Sequence, residues 1–99
     1  MSFRIVFHPK VFSEVDAIME YYERVAGAPL AEDFYAEFRL FVQDAADSPE
    51  KYNIRKGNFR RANLERFPFN FLFRIQDKTI RILVVRHHAR RPTFGTNRK

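Results

Sequence analysis

FRRANLERFPFNFLFRIQDKTIRILVVRH, residues 59–87, is the stretch that decides the fold. Apolar and polar residues alternate through most of it with a period of two, the spacing of strands that bury one face. Residues 59–64, 67–76 and 79–87 read as three strands of a meander, with tight turns at Glu65-Arg66 and Asp77-Lys78. Pro68 has no N–H to give to a ladder, so it belongs near a strand start or at a position that makes no hydrogen bond. With two-residue turns, Ile75 faces Ile80, Phe73 faces Ile82, Phe71 faces Val84, Ala62 faces Phe69 and Arg60 faces Phe71. One face then carries Phe67, Phe69, Phe71, Phe73, Ile75, Ile80, Ile82 and Val84, and is the seat for covering helices. The other carries Arg61, Asn63, Asn70, Leu72, Arg74, Arg81, Leu83, Val85 and His87, and is open, mixed and cationic. A slip of one residue would exchange the two sets.

Upstream of a loop over residues 49–58 the period lengthens. Leu30, Phe34, Phe38, Phe41, Val42 and Ala45 form one helical stripe that ends before Ser48-Pro49. Val11, Val15, Ile18, Met19, Tyr22 and Val25 form another, with Pro9 suited to its first turn and Gly27 to its stop. The two helices, joined by three or four residues, should pack as an antiparallel hairpin. Residues 3–7, apolar at 3, 5 and 7, read as a short strand before them, and residues 92–99 as a short tail that is partly mobile. The expectation is one domain over residues 1–99 of class α+β, ordered β-α-α-β-β-β, with the helix hairpin on one face of a small antiparallel-dominated sheet.

Charge divides along the chain. Residues 1–53 hold five Lys/Arg against ten Asp/Glu, and residues 54–99 hold thirteen against two, so the halves carry −5 and +11. A basic, β-rich half makes a surface for something anionic: nucleic acid, an acidic protein segment or a membrane surface. The plain alternative is self-neutralisation by the acids on the helices, but acids on solvent-facing helix positions do not reach the basic end of a sheet. The twelve Phe predict an unusually aromatic core. The absence of Cys excludes disulfides and thiolate metal sites and fits a reducing, cytoplasmic setting. Residues 1–4 do not open a signal peptide, and no apolar run reaches transmembrane length. There is no phosphate-binding glycine loop and no His-Glu-x-x-His pattern; His8 stands alone, and the neighbours His87 and His88 would point to opposite faces of a strand.

The ordered set Phe7-His8-Pro9…Glu14, Tyr21-Tyr22-Glu23, Arg60-Arg61…Leu64-Glu65-Arg66-Phe67-Pro68-Phe69 and Val85-x-His87-x-x-Arg90-x-Pro92 resembles the RelE/ParE toxin superfamily over essentially the whole chain. The resemblance implies a toxin of a bacterial type II toxin–antitoxin pair, inhibited by a cognate antitoxin. It divides into two mechanisms: RelE-like members cut mRNA in the ribosomal A site, and ParE-like members poison DNA gyrase without hydrolytic chemistry. A third possibility is a degenerate member that binds only antitoxin.

RNA cleavage of this kind needs a base for the 2′-hydroxyl, an acid for the 5′-oxygen and cations around the phosphorane. Under the nuclease reading Arg61, His87 and Arg90 are the catalytic candidates, with His87 the proton carrier. Under either reading Arg61, Arg74, Arg81, Arg86, Arg90 and Arg91 are candidates for holding a nucleic acid or a protein target. Each has a structural alternative. His87 can simply be bonded at a strand end, His88 pack on the core side, Arg60 pair with a helix acid, and Lys51 and Lys56 be solvated loop charges. RelE-like nucleases often carry a Tyr near the C-terminus, where this chain has Phe94, and its tyrosines at 21, 22, 35 and 52 all precede the meander. That departure favours the ParE-like side, with gyrase as target, an antitoxin whose docking segment is acidic, and no cofactor, metal, membrane or small-molecule ligand.

Overall fold

The computed structural model describes residues 2–55 and 57–99; Lys56, expected as a loop lysine, lies outside the described residues. Strand β1 (Arg4–Phe7) leads into helix α1 (Pro9–Ala26) and helix α2 (Ala28–Asp47). A 3-10 turn at Pro49–Lys51 follows, then β2 (Arg60–Asn63), β3 (Phe69–Gln76) and β4 (Thr79–His87). The sheet order is β1-β4-β3-β2, with β1 parallel to β4 and the other pairs antiparallel. The α+β class, the element order and the helix hairpin on one sheet face are as the sequence predicts.

The hairpin turns on one residue rather than three or four. Gly27 alone separates the helices, at φ +93° and ψ 166°, with its N–H donated to the Glu23 carbonyl. Backbone of that shape suits a residue without Cβ, and Pro29 in the first turn of α2 has no N–H to leave unpaired. From α2, Phe34 and Phe38 reach the sheet edge-on, Phe34 against Phe67 (5.5 Å, 88°) and Phe38 against Phe71 (5.8 Å, 83°). Such pairs contribute roughly 0.5–1.5 kcal/mol each beyond burial. Val11 and Val15 of α1 complete this core, whereas Val25, expected on the stripe, is exposed.

Two register expectations are corrected. The β2–β3 connection is longer than a two-residue turn, so Arg60 faces Phe73 and Ala62 faces Phe71. Pro68 stays outside β3, Leu64 and Phe67 tuck into the core, and Glu37 of α2 accepts from the N–H groups of Glu65 (2.8 Å) and Arg66 (3.0 Å). Among the described residues Arg60 forms no ion pair with a helix acid; it donates to the Tyr52 carbonyl at 2.7 Å.

The second correction has wider effect. Ile75–Ile80 and Phe73–Ile82 pair as expected, but a β-bulge follows, and Leu72 pairs with Val84 and Phe71 with Val85. Leu83 is the extra residue. Val85 and His87 therefore move to the helix side, where Val85 joins the main core and the His87 ring stands edge-on to Phe69 at 5.2 Å. Leu83 and Val84 cluster with Leu72 on the outer face.

Because β1 ends opposite Ile82, the outer edge of β4 beyond it has no strand partner. Two charges fill the gap: Glu14 accepts from the Val85 N–H (3.1 Å) and Arg98 donates to the Leu83 carbonyl (3.0 Å). The two pair with each other at 2.8 Å, both largely buried. Exposed edges need such cover, and buried backbone groups need partners. Arg98 belongs to the tail, which lies across the outer sheet face. Phe94 packs on the Leu72 cluster, and Arg86 donates to the carbonyls of Pro92 (2.8 Å) and Phe94 (2.9 Å).

Gly95, at φ +83°, is seated so closely that an added Cβ would stand 2.6 Å from Val84 Cβ. Gly95→Ala should cost roughly 1–3 kcal/mol in urea unfolding, and unchanged stability would mean the tail is not held here. His8 gives a pH prediction. Its Nδ1 caps α1 by accepting from the Lys10 N–H at 3.1 Å. Burial, then Arg98, Arg81 and Lys10, hold its pKa below the usual value, against a weaker opposing pull from Glu14. The unfolded chain thus binds this proton more tightly, and stability falls as pH drops through about 6.5. His8→Asn keeps a capping oxygen that does not titrate, so its urea midpoint should fall less than the natural chain's between about pH 7.5 and 5.5. Equal falls would rule His8 out as the source.

Candidate functional site

On the outer face, near one end of the sheet, β2 contributes Arg61 and Asn63, β3 contributes Asn70, and β4 contributes Arg86 beyond the bulge. His88, Arg90 and Pro92 close the ring around a recess of about 370 Å³. Among the described residues, no carboxylate lines it. Arg86 is only 7% exposed, and burial followed by the nearby Arg61 charge lowers its pKa. Arg61 Nε is buried without a hydrogen-bond partner. Buried charge of one sign, lacking a counter-ion, favours an anion in the space beside it.

Asn70 is the junction of this site. Arg86 Nε donates to its Oδ1 at 3.2 Å, and its Nδ2 lies 2.9 Å from His88 Nδ1. A guanidinium only donates, so the Asn70 oxygen must face Arg86 and its amine must face the imidazole. His88 Nδ1 is then the acceptor and the ring hydrogen sits on Nε2, presented as a donor. A ring that takes up a second proton at Nδ1 loses this bond. The site offers hydrogen-bond donors to a ligand and is not arranged for His88 to accept the ligand's proton.

The residues expected here divide. Arg61, Arg86 and Arg90 meet in the recess, and Arg90 also lies over the Phe94 ring at 4.5 Å. Arg91 is exposed and does not line the recess. Arg74 and Arg81 pair across β3 and β4 further along the outer face, with Arg74 over Phe59 at 5.6 Å. His87, the expected proton carrier, is absent from the recess, because the bulge turns it to the helix side; there its Nδ1 accepts from the Ala89 N–H. His88, expected as packing, takes its place. The apolar run Leu83, Val84 and Val85 is where strict alternation lapses, but being apolar on either face it does not say that the strand slips there.

Elsewhere, Lys51 pairs with Asp44 at 2.7 Å. The Tyr52 hydroxyl also bonds Asp44, and its ring packs on Phe73 on the helix side. Burial and this carboxylate push the Tyr52 phenol well above its ordinary range. A second recess of about 530 Å³ adjoins the first and shares Arg61, Arg86 and Pro92 with it; Phe59 and Leu72 give it an apolar wall. Among the described residues, no group of three or more His, Asp or Glu is placed to hold a metal ion, and no helix is long and apolar enough to cross a membrane.

Comparison with curated proteins gives no match. Among solved structures, the chromosomal ParDE toxin–antitoxin system of P. aeruginosa superposes with a TM-score of 0.77 at 24% identity, covering 87% of this chain and 96% of that one. A mutant of E. coli RelE in the free state gives 0.62 at 14% identity, over 90% and 86% of the two chains. The E. coli RelBE toxin–antitoxin complex gives 0.58 at 16%, over 91% and 100%. At these identities the likeness is one of fold, which the two branches share. Among family models, that of the ParE toxin of the type II toxin–antitoxin system parDE matches residues 5–92. That match spans nearly all of the strand, hairpin and meander, and with it this chain belongs to the ParE toxin family of type II toxin–antitoxin systems, within the RelE/ParE superfamily.

Proposed function

We propose that this chain arrests growth as a ParE-like toxin, by binding DNA gyrase and breaking no bond itself. The observation that carries the reading is the Arg86–Asn70–His88 chain of hydrogen bonds, which leaves the one histidine in the recess as a donor. Ribonuclease chemistry needs a group that takes the 2′-hydroxyl proton and another that returns one. With His87 on the helix side and Tyr52 bonded to Asp44, neither of the side chains that could share that work faces the recess. Residues 1–99 act together as the toxin domain.

A cognate antitoxin neutralises the toxin. Its docking segment is acidic, which answers the uncompensated charge of Arg61, Arg86 and Arg90. The antitoxin complexes among the fold's relatives support a protein partner of this kind.

Inducible expression with replication and protein synthesis followed separately tests the reading. Replication should fail first, with a DNA-damage response, and the purified chain should inhibit supercoiling by gyrase. His88→Gln keeps an N–H donor but cannot carry a proton, so it should leave the arrest within about twofold, whereas loss of a general acid or base costs about 10²–10⁴-fold. Early loss of translation with mRNA cut on the ribosome, abolished in His88→Gln, would establish the RelE-like nuclease instead. No arrest at all would leave a member that only binds antitoxin.

A further inference from the structure

We propose that the groove between α1 and α2 is the contact through which two copies of this chain pair, with α1 of each copy lying over α2 of the other. Such a contact uses the helix side of the fold and leaves the arginine recess, on the outer sheet face, uncovered. It goes beyond the gyrase reading and does not depend on it.

The groove is a recess of about 150 Å³, lined in part by Phe7 of β1, by Phe12, Asp16 and Met19 of α1, and by Tyr35 and Arg39 of α2. Phe12 is 60% exposed and Tyr35 41%, yet both touch deeper rings, Phe12 reaching Phe7 at 5.8 Å and Tyr35 reaching Phe38 at 6.5 Å. Aromatic side chains already braced from below lose little further freedom when something covers them, and interfaces favour them for that reason. The acids nearer the hairpin turn, Glu23 and Glu32, lie outside the recess.

Charge identifies the occupant. Asp16 stands on the α1 border and Arg39 on the α2 border, both exposed, and among the described residues neither enters an ion pair. A partner of one charge sign would answer one border and be repelled by the other, whereas a second copy answers both with the same two residues. The helices run antiparallel away from Gly27, so residues equally far from it stand level. Met19 and Tyr35 are each eight residues from it, and Asp16 and Arg39 are eleven and twelve. A two-fold axis along the groove keeps that level and exchanges the borders. It sets Asp16 against the second copy's Arg39 and Met19 against the second copy's Tyr35, each twice. An axis across the groove lays α1 on α1 and α2 on α2, and pairs neither charge. Complementarity therefore selects the first arrangement, a four-helix layer in which every helix has antiparallel neighbours within its chain and across the contact.

Sedimentation velocity on the purified full chain over a range of concentrations, at near-neutral pH and low salt, reads the pairing. The contact is small, so the natural chain should pass from monomer to dimer with a dissociation constant of about 10–100 µM. Asp16→Arg and Arg39→Asp should each weaken self-pairing about tenfold, and Phe12→Ser about tenfold or more. Mixed together, Asp16→Arg and Arg39→Asp should pair with each other at least as tightly as the natural chain pairs with itself, because both contacts across the axis are again opposite in charge. That mixture also shows both variants to be folded, and it separates a contact between copies from an ion pair within one. Leu40→Ser, at an exposed position outside the groove, should leave the pairing unchanged. A monomer at all concentrations up to about 1 mM, a dimer indifferent to the three groove variants, or a mixture no tighter than its components would each overturn the proposal, the first leaving the groove to a different protein. Tighter pairing of Asp16→Arg with the natural chain than of either with itself would mean α1 on α1, and would overturn the arrangement.

Discussion

Between Ile82 and Val84 the β4 strand carries one residue more than β3 can pair, and along its outer edge two charges from opposite ends of the chain take up the open backbone groups. Glu14 and Arg98 act there as a strand would, one accepting from Val85 and the other donating to Leu83. Much else depends on this short segment. The bulge decides which of Val85, Arg86, His87 and His88 face the helices, and the edge charges fix where the tail crosses the sheet. The tail in turn supplies the carbonyls that hold Arg86. A bulge relaxes alternation locally, so Leu83 and Val84 can both pack outward while Val85 returns to the core.

The same geometry explains how an acidic half and a basic half coexist without cancelling. The ion pairs among the described residues are Lys51–Asp44, Arg66–Asp33 and Arg98–Glu14, all away from the recess. The first two are exposed and contribute little to stability. The third is largely buried, and removing one partner would leave a charge stranded at the sheet edge. Asp44 and Asp33 thus answer bases on the helix side, and Glu14 answers Arg98 of the tail at the sheet edge. The outer face keeps its positive charge, concentrated where Arg86 and Arg61 lie near each other in partial burial.

Strand and helix positions were legible in the sequence because each rests on local signals. The period-two run, the Asp77-Lys78 turn, with Asp77 in positive φ, and the paired helical stripes all lie where their residues put them. The bulge was not legible. No Gly or Pro marks it, and Leu83, Val84 and Val85 are apolar on either face, so the alternation that would betray a slip is missing there. Val84, Val85, His87 and His88 were therefore assigned to the wrong side, which exchanged His87 for His88. Arg61 was placed correctly because the longer β2–β3 connection shifts register by an even step and preserves its face. The tail's docking was hidden for a different reason: it depends on Glu14 and Val84, which sequence spacing does not bring near residues 95–98.

The central claim is that the bulge wires His88, through Asn70, as a hydrogen-bond donor within a recess of arginines. The most direct test is the nitrogen spectrum of the histidine rings in mildly alkaline solution, with signals assigned by single substitutions. The structure predicts a fixed Nε2–H tautomer for His88, with an Nδ1 that accepts a hydrogen bond and a spectrum that changes in Asn70→Ala. An Nδ1–H tautomer, or a ring that exchanges freely between the two and ignores Asn70, would contradict it.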